Sequence, residues 1–223
     1  MHISELYGKH KTDIYIIGSG ATMDHFNTKF FEGKTVIALN MMYKYFPCQY
    51  MLSHHHNVVQ DAIDYGVGAI TSEYGTCIGT NAKHNFKGDY YYYNHTDQGY
   101  QNVDLTTFGQ KVCAAGTPVV AALQVAYLMG ATNIVLCGVD GGSLNDRRNY
   151  KEYEIPSQPG HPGRVQEVIN KTANRVRQEG VGVYSVLPFV NMTLEGYKFK
   201  ASTSDWHEYT EGEKDKLRKK GLL

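Results

Sequence analysis

Along the first 75 residues, short apolar runs alternate with stretches of helical spacing. "DIYII" (13–17), "TVIAL" (35–39), "YMLS" (50–53) and "VGAIT" (67–71) each read as a strand. Between them, "TMDHFNTKFFEG" (22–33) is predicted as a helix stopped by Gly33, and "NVVQDAIDYG" (57–66) as a helix closed by its glycine. Residues 75–110 are the least regular part of the first half; within them "GDYYYYNH" suggests an aromatic strand or hairpin. Regular structure returns with "GTPVVAALQVAYLMG" (116–130), where Thr117 suits an N-cap, Pro118 the first helical position and Gly130 the C-terminal cap. Its apolar residues run nearly all the way round, so the helix is expected to be buried. "NIVLCGVD" (133–140) follows as a central strand covered on both faces, of the kind parallel sheets favour.

The polar stretch 141–163 has no clear period, which in a compact domain marks a lid or a disordered segment. "RVQEVINKTANRVRQEG" (164–180) is amphipathic, with Val165, Val168, Ile169, Ala173 and Val176 on one face, and "VGVYSVLP" (181–188) is the last strand. This βαβα rhythm predicts an α/β fold: a Rossmann-like, mostly parallel sheet with helices on both faces and a lid before the last helix. The length of 223 residues suits a single nucleotide-binding domain spanning 1–223, with the lid at about 141–163 and a charged tail at about 205–223.

Composition narrows the partners. Net charge is zero, so no global field draws the chain to nucleic acid or membrane, although a local basic groove can coexist with neutrality. The N-terminus lacks the apolar core of a signal peptide and no run approaches a transmembrane span, so a cytoplasmic protein is expected. Cys48, Cys77, Cys113 and Cys137 show no CxxC spacing and read as free thiols of a reducing compartment. Five basic and three acidic residues between Glu211 and Leu223 read as a solvated helix, with docking to a membrane surface as the alternative. Tyrosine is abundant, 18 against one tryptophan, and serves half-buried positions or the lining of a site for sugars, bases or phosphates. The run Tyr90–Tyr93 fits an interface, a stacking platform or a half-buried strand, and a homo-oligomer is left open.

Candidate chemistry gathers where strands end. Gly18, Ser19 and Gly20 form a GxG turn after the first strand, but Met23 stands where a dinucleotide fingerprint has its third glycine. Asn40 closes the second strand where an acidic residue would hold a dinucleotide's ribose; an asparagine suits a base edge, a ribose or a sugar. Tight strand–helix packing explains the glycines equally well. Gly116 and Thr117 open the buried helix, whose N–H groups would face the same sheet edge and favour an anion. Asp140 closes the central strand and can hold a metal or a hydroxyl, or cap its loop. His54, His55 and His56 point in different directions on an extended segment, so zinc is not expected there, though one of them can meet a ligand. His161, between Pro159-Gly160 and Pro162-Gly163, can take a proton near neutral pH and is carried by the lid.

The blocks "IIGSGATMDHF", "VIALN", "AAGTPVVAALQVAYLMGATNIVLCGVDGG", "HPGRVQEVINKTANRV" and "VGVYSVLP" resemble the bacterial sialyltransferases of glycosyltransferase family 42 and their relatives in the MptE-like superfamily, which includes an archaeal pterin diphosphokinase. The likeness spans roughly residues 13–190 in short blocks. It implies that Gly18, Ser19, Gly20 and Asn40 hold the nucleotide, and that Ala115, Gly116 and Thr117 touch donor sugar or phosphate. It further implies that Tyr150 and Tyr153 on the lid contact phosphate and that His161 is the general base on the acceptor hydroxyl. Ser19 and Ala21-Thr22 depart from the family's usual asparagine or Pro-Ser pair in the first turn. The "GVDGG" block is closer to the MptE-like proteins, where Asp140 would serve a magnesium-bound triphosphate.

The leading expectation is therefore a glycosyltransferase that moves a sugar from a nucleotide-activated donor to an acceptor hydroxyl, with no cofactor required. The acceptor is open: a glycan, a lipid-linked saccharide, a small molecule or a modified nucleic acid base. The alternatives are an ATP- and Mg-dependent diphosphokinase and a non-catalytic nucleotide-binding module.

Overall fold

The computed structural model describes residues 1–73, 85–95, 105–113, 117–139, 150 and 162–185 of the chain. Seven strands are built from the apolar runs: β1 Ile14–Ile17, β2 Thr35–Leu39, β3 Tyr50–Leu52, β4 Gly68–Ser72, β5 Tyr91–Tyr93, β6 Asn133–Cys137 and β7 Gly182–Ser185. They form one sheet in the order β5-β4-β3-β2-β1-β6-β7, and every pairing is parallel. The α/β architecture expected from the sequence is thus the one observed.

Strand alternation divides the core into two layers. Ile14, Ile16, Ile37, Leu39, Leu52, Ile70, Ile134, Leu136 and Val183 face one side. That side is covered by helices α2 (Pro118–Leu128) and α3 (Pro162–Gln178). Tyr15, Ile17, Val36, Ala38, Met51, Ala69, Val135 and Cys137 face the other. There they meet helix α1 (His56–Tyr65) and a group of phenylalanines. Burial on both faces is why the central strands read as unbroken apolar runs.

The first crossover departs from the expected helix over 22–33. Two 3₁₀ turns, Ala21–His25 and Thr28–Phe31, replace it. Phe26 and Asn27 between them are extended, and the Asn27 side chain accepts from the Lys29 N–H at 3.0 Å, capping the second turn. Asparagine bonding its own local backbone competes with helix continuation, and a single cap splits the segment. The two turns then place Phe26, Phe30 and Phe31 in one cluster, with Phe26 and Phe31 stacked at 5.4 Å.

The second half follows its pattern closely. Thr117 caps α2 by accepting from the Val119 N–H, Pro118 opens it, and Gly130 leaves it at φ 90°. Val119 through Ala126 are all buried. One of them, Gln124, is polar. Val168, Ile169, Ala173 and Val176 on α3 are buried as the amphipathic pattern predicts. Helix α3 starts at Pro162, so the last two residues of the expected lid are helical. Apart from Tyr150, the rest of that lid and the charged tail lie outside the described residues, as does Cys77; Cys113 and Cys137 are buried free thiols and Cys48 is half-buried. Among the described residues no helix is long and apolar enough to cross a membrane.

Candidate functional site

The strand order sets where a ligand fits. From β1 the chain steps outward through β2, β3, β4 and β5, then returns to lay β6 on the other flank of β1 and β7 beyond it. The connections after β1 and β6 therefore leave in opposite directions, and in open α/β sheets ligands bind in the crevice beside the carboxyl ends of the strands at such a switch point. Each helix runs antiparallel to the strands it joins, so the N-termini of α1, α2 and α3 all lie at this carboxyl edge. Helix α2 packs across β1, β2 and β6, beside the crevice.

The glycine turn sits at that point, and its glycines have a packing role. The Gly18 N–H donates to the Cys137 carbonyl at 2.8 Å, and the Gly20 N–H to the Gly138 carbonyl at 2.7 Å. These bonds extend the β1–β6 pairing past the strand ends. A Cβ at Gly18 would stand 2.5 Å from the Gly138 carbonyl oxygen. Gly138 has φ 62°, and a Cβ there would meet Met23 Cγ at 2.3 Å and the Gly18 oxygen at 2.6 Å. Met23 is fully buried. Its side chain thus fills the space above Gly138, a role a third glycine could not play. A five-residue 3₁₀ turn with no side-chain cap follows, in place of a long helix.

Tyr150 comes to the same turn. Its N–H donates to the Ser19 carbonyl at 2.8 Å, and its ring, 8% exposed, packs on Tyr45 (5.6 Å) and Phe46 (5.3 Å). The chain is therefore anchored at position 150 against the Gly18–Gly20 turn. Thr117 lies at the same edge through α2. Ala115, Gly116, Asp140, Tyr153 and His161 lie outside the described residues; His161 immediately precedes Pro162, where α3 begins.

Asn40 has the most distinctive geometry. Among the described residues it is the one non-glycine in left-handed backbone, φ 52°, a region that asparagine tolerates better than most residues. Its partner was not foreseen from sequence. Ser53, fully buried, donates its hydroxyl to Asn40 Oδ1 at 2.9 Å and accepts the His55 N–H at 3.1 Å. Register explains the meeting: Leu39 pairs with Leu52, so Asn40 and Ser53 follow one step beyond on neighbouring strands. Ile17 likewise pairs with Ala38, which puts Ser19 and Asn40 at the same level.

The three adjacent histidines part company. His54 Nε2 is 2.6 Å from the Tyr93 hydroxyl, His55 is the N-cap of α1, and the His56 ring stacks on Phe86 at 4.5 Å. Burial holds the Tyr93 phenol well above its ordinary range, so it stays a neutral O–H group. Among the described residues no group of three His, Cys, Asp or Glu side chains is placed to hold a metal ion.

Gln124 is a second residue sequence reasoning passed over. Its Nε2 donates to the Cys113 carbonyl (2.7 Å) and the Val120 carbonyl (2.8 Å), and its Oε1 accepts the Cys113 N–H (3.0 Å). This fully satisfied amide fixes the backbone three residues before Gly116. A lone polar residue in an otherwise apolar helix was the available signal.

No protein-family model matches the chain, and no curated protein matches it in sequence. Among solved structures it is similar to the sialyltransferase CST-II in complex with a trisaccharide acceptor and CMP, at 13% identity over 93% of this chain and 99% of that one, with a TM-score of 0.45. Two structures of the sialyltransferase CstII from Campylobacter jejuni also match. That with cytidine-5'-monophosphate is 15% identical over 96% of this chain and 100% of that one, TM-score 0.38. That with CMP-3FNeuAc is 14% identical over 94% and 99%, TM-score 0.33. These neighbours are sialyltransferases.

Proposed function

We propose that the carboxyl-edge crevice between β1 and β6 binds a nucleotide-activated sugar and that the protein transfers the sugar to an acceptor hydroxyl. The observation that carries this reading is Asn40: a left-handed asparagine whose amide is held by a buried serine, level with Ser19 at the topological switch point. An acidic residue closing β2 would serve a dinucleotide's ribose diol. An amide there serves a mononucleotide or a sugar instead. Gly18 and Gly20 keep the backbone close to β6 so that Ser19 borders the crevice, and Thr117 brings the N-terminus of α2 to the same edge for the donor's negative charge.

In the transfer, His161 takes the proton of the acceptor hydroxyl, whose oxygen forms the bond to the anomeric carbon of the sugar. The bond between that carbon and the phosphate oxygen breaks, and the nucleotide leaves with the electron pair. Tyr150 and Tyr153 stabilise its phosphate by hydrogen bonding. His161 directly precedes α3, an element whose N-terminus shares the crevice edge, which supports the role given to it.

The test has two stages. Thermal unfolding against CMP, CDP, UDP, GDP, ADP and ATP, with and without magnesium, finds the ligand; at 100 times its dissociation constant a ligand adds about 2.7 kcal/mol of stability. Donor turnover is then compared between wild type and His161→Ala. The expected result is a metal-independent shift with CMP or a nucleoside diphosphate, and a loss of roughly 10²–10⁴ in turnover with nucleotide binding retained. A shift seen only with ATP and magnesium would replace this reading with diphosphate transfer. Binding without turnover of any donor would leave a nucleotide-binding module.

A further inference from the structure

Ser53 carries more information than its position at the end of β3 suggests. It is completely buried, and its hydroxyl has two neighbours: the His55 N–H, which it accepts, and the Asn40 amide. A hydroxyl has one hydrogen and two lone pairs. If the Asn40 amide were turned the other way, its NH2 group and the His55 N–H would both donate to Ser53 Oγ. The Ser53 hydrogen would then need another acceptor, and among the described residues there is none. A buried O–H without an acceptor is the costly case. The arrangement with Asn40 Oδ1 facing Ser53 satisfies all three groups. It leaves the NH2 of Asn40 directed away from Ser53, and no described residue takes it.

We propose that Ser53 is a positioning residue that fixes the Asn40 amide with its NH2 group turned away from Ser53, so that the ligand atom this NH2 meets is an acceptor: a carbonyl or ring nitrogen of a base, or an oxygen of a phosphate or carboxylate. This inference rests on the reading of the β1–β6 edge as a nucleotide site and sharpens it. An ordinary asparagine can turn either end of its amide to a ligand; the orientation of this one is set by a buried neighbour.

Two measurements test it. The first needs no ligand. In 15N-labelled protein, the Asn40 side-chain NH2 protons are expected to exchange with water and to show no cross-relaxation with the His55 amide proton. A strong cross-peak between them would place the NH2 on Ser53 and overturn the inference. The second measures affinity for the nucleotide that gives the largest thermal shift, and for its nucleoside, so that repulsion between a new carboxylate and a phosphate is not mistaken for lost recognition. Asn40→Gly keeps the left-handed backbone and removes the amide; Asn40→Asp keeps the shape and presents an acceptor. The expected order is wild type, then Asn40→Gly about tenfold weaker, then Asn40→Asp weaker still, for both probes. Asn40→Asp binding as tightly as wild type would show that the ligand atom is a donor and would sink the proposal. Ser53→Ala is expected to weaken binding about three- to tenfold, with Ser53→Thr restoring part of it by returning the hydroxyl. Equal affinity in Ser53→Ala would remove the positioning role. If wild type binds none of the nucleotides, the nucleotide reading fails, and the proton measurement still decides the amide.

Discussion

Gly18→Ala separates the two explanations of the glycine turn. The added methyl would stand 2.5 Å from the Gly138 carbonyl oxygen and 3.1 Å from both Gly138 C and Val139 Cγ2. The nearest of these atoms is backbone, so relief requires β1 and β6 to separate beyond their ends. Overpacking of this kind costs roughly 1–3 kcal/mol, and each of the two hydrogen bonds that close the gap contributes about 1 kcal/mol. If one bond is lost with the strain, the variant loses about 3 kcal/mol. For a chain of this size that lowers the midpoint by roughly 6–12 °C, using about 2–4 °C per kcal/mol. Urea unfolding and calorimetry of the purified variant measure it directly. Nucleotide affinity extrapolated to the fully folded protein should fall by less than about threefold, since the methyl points at β6. A variant that keeps its midpoint but loses nucleotide binding would refute the packing argument and return Gly18 to the ligand.

Further outcomes follow from neighbouring features. Gln124→Leu leaves the Cys113 N–H and carbonyl unpaired in the core, so a loss of roughly 2–4 kcal/mol is expected in urea unfolding, with faster hydrogen exchange at Cys113. Burial, and then the neighbouring Lys9, lower the His10 pKa. A histidine held neutral in the fold contributes stability that is present above its unfolded pKa and lost as pH falls below it toward the folded value. The stability of wild type relative to His10→Gln should therefore drop between pH 7 and 5, and a difference that rises with acidity would contradict the assignment. Burial pushes the Cys48 thiol up to about 12, and Cys113 and Cys137 are buried, so native Cys77→Ser protein should react with a thiol reagent at pH 7.5 at least tenfold more slowly than after unfolding. Tyr93→Phe removes the phenol that meets His54 Nε2 without changing packing volume, with an expected cost of about 1 kcal/mol. A neutral result there would mean that water replaces the phenol without loss.

Much of the fold could be read because the strands are buried on both faces and announce themselves as apolar runs. All seven strands coincide with predicted runs to within a few residues, and Thr117, Pro118 and Gly130 mark α2 as expected. The first crossover was misread because Phe26, Phe30 and Phe31 have near-helical spacing, while the cap at Asn27 that divides them is a single-residue signal. The candidate site was legible only in part. Gly18, Ser19, Gly20, Asn40 and Thr117 lie at strand ends or helix starts, where pattern alone puts them at one edge. What each side chain does depends on register between strands, which no local pattern encodes. Ser53 meets Asn40 because Leu39 pairs with Leu52, and Met23 takes the missing glycine's place because Gly138 leaves room above it. The glycines that suggest a ligand also hold two strands together. The asparagine that departs from the dinucleotide pattern is held by a buried serine.

The most direct test of the central claim is to map nucleotide binding onto the backbone by amide chemical shifts in 15N-labelled protein, titrated with the nucleotide that gives the largest thermal shift. Saturable changes are expected to concentrate at Ser19, Gly20, Asn40 and Thr117, with little change at the opposite end of the sheet around Tyr50 and Tyr91. Changes centred elsewhere, with those four residues still, would show that the β1–β6 edge is not where this protein binds its nucleotide.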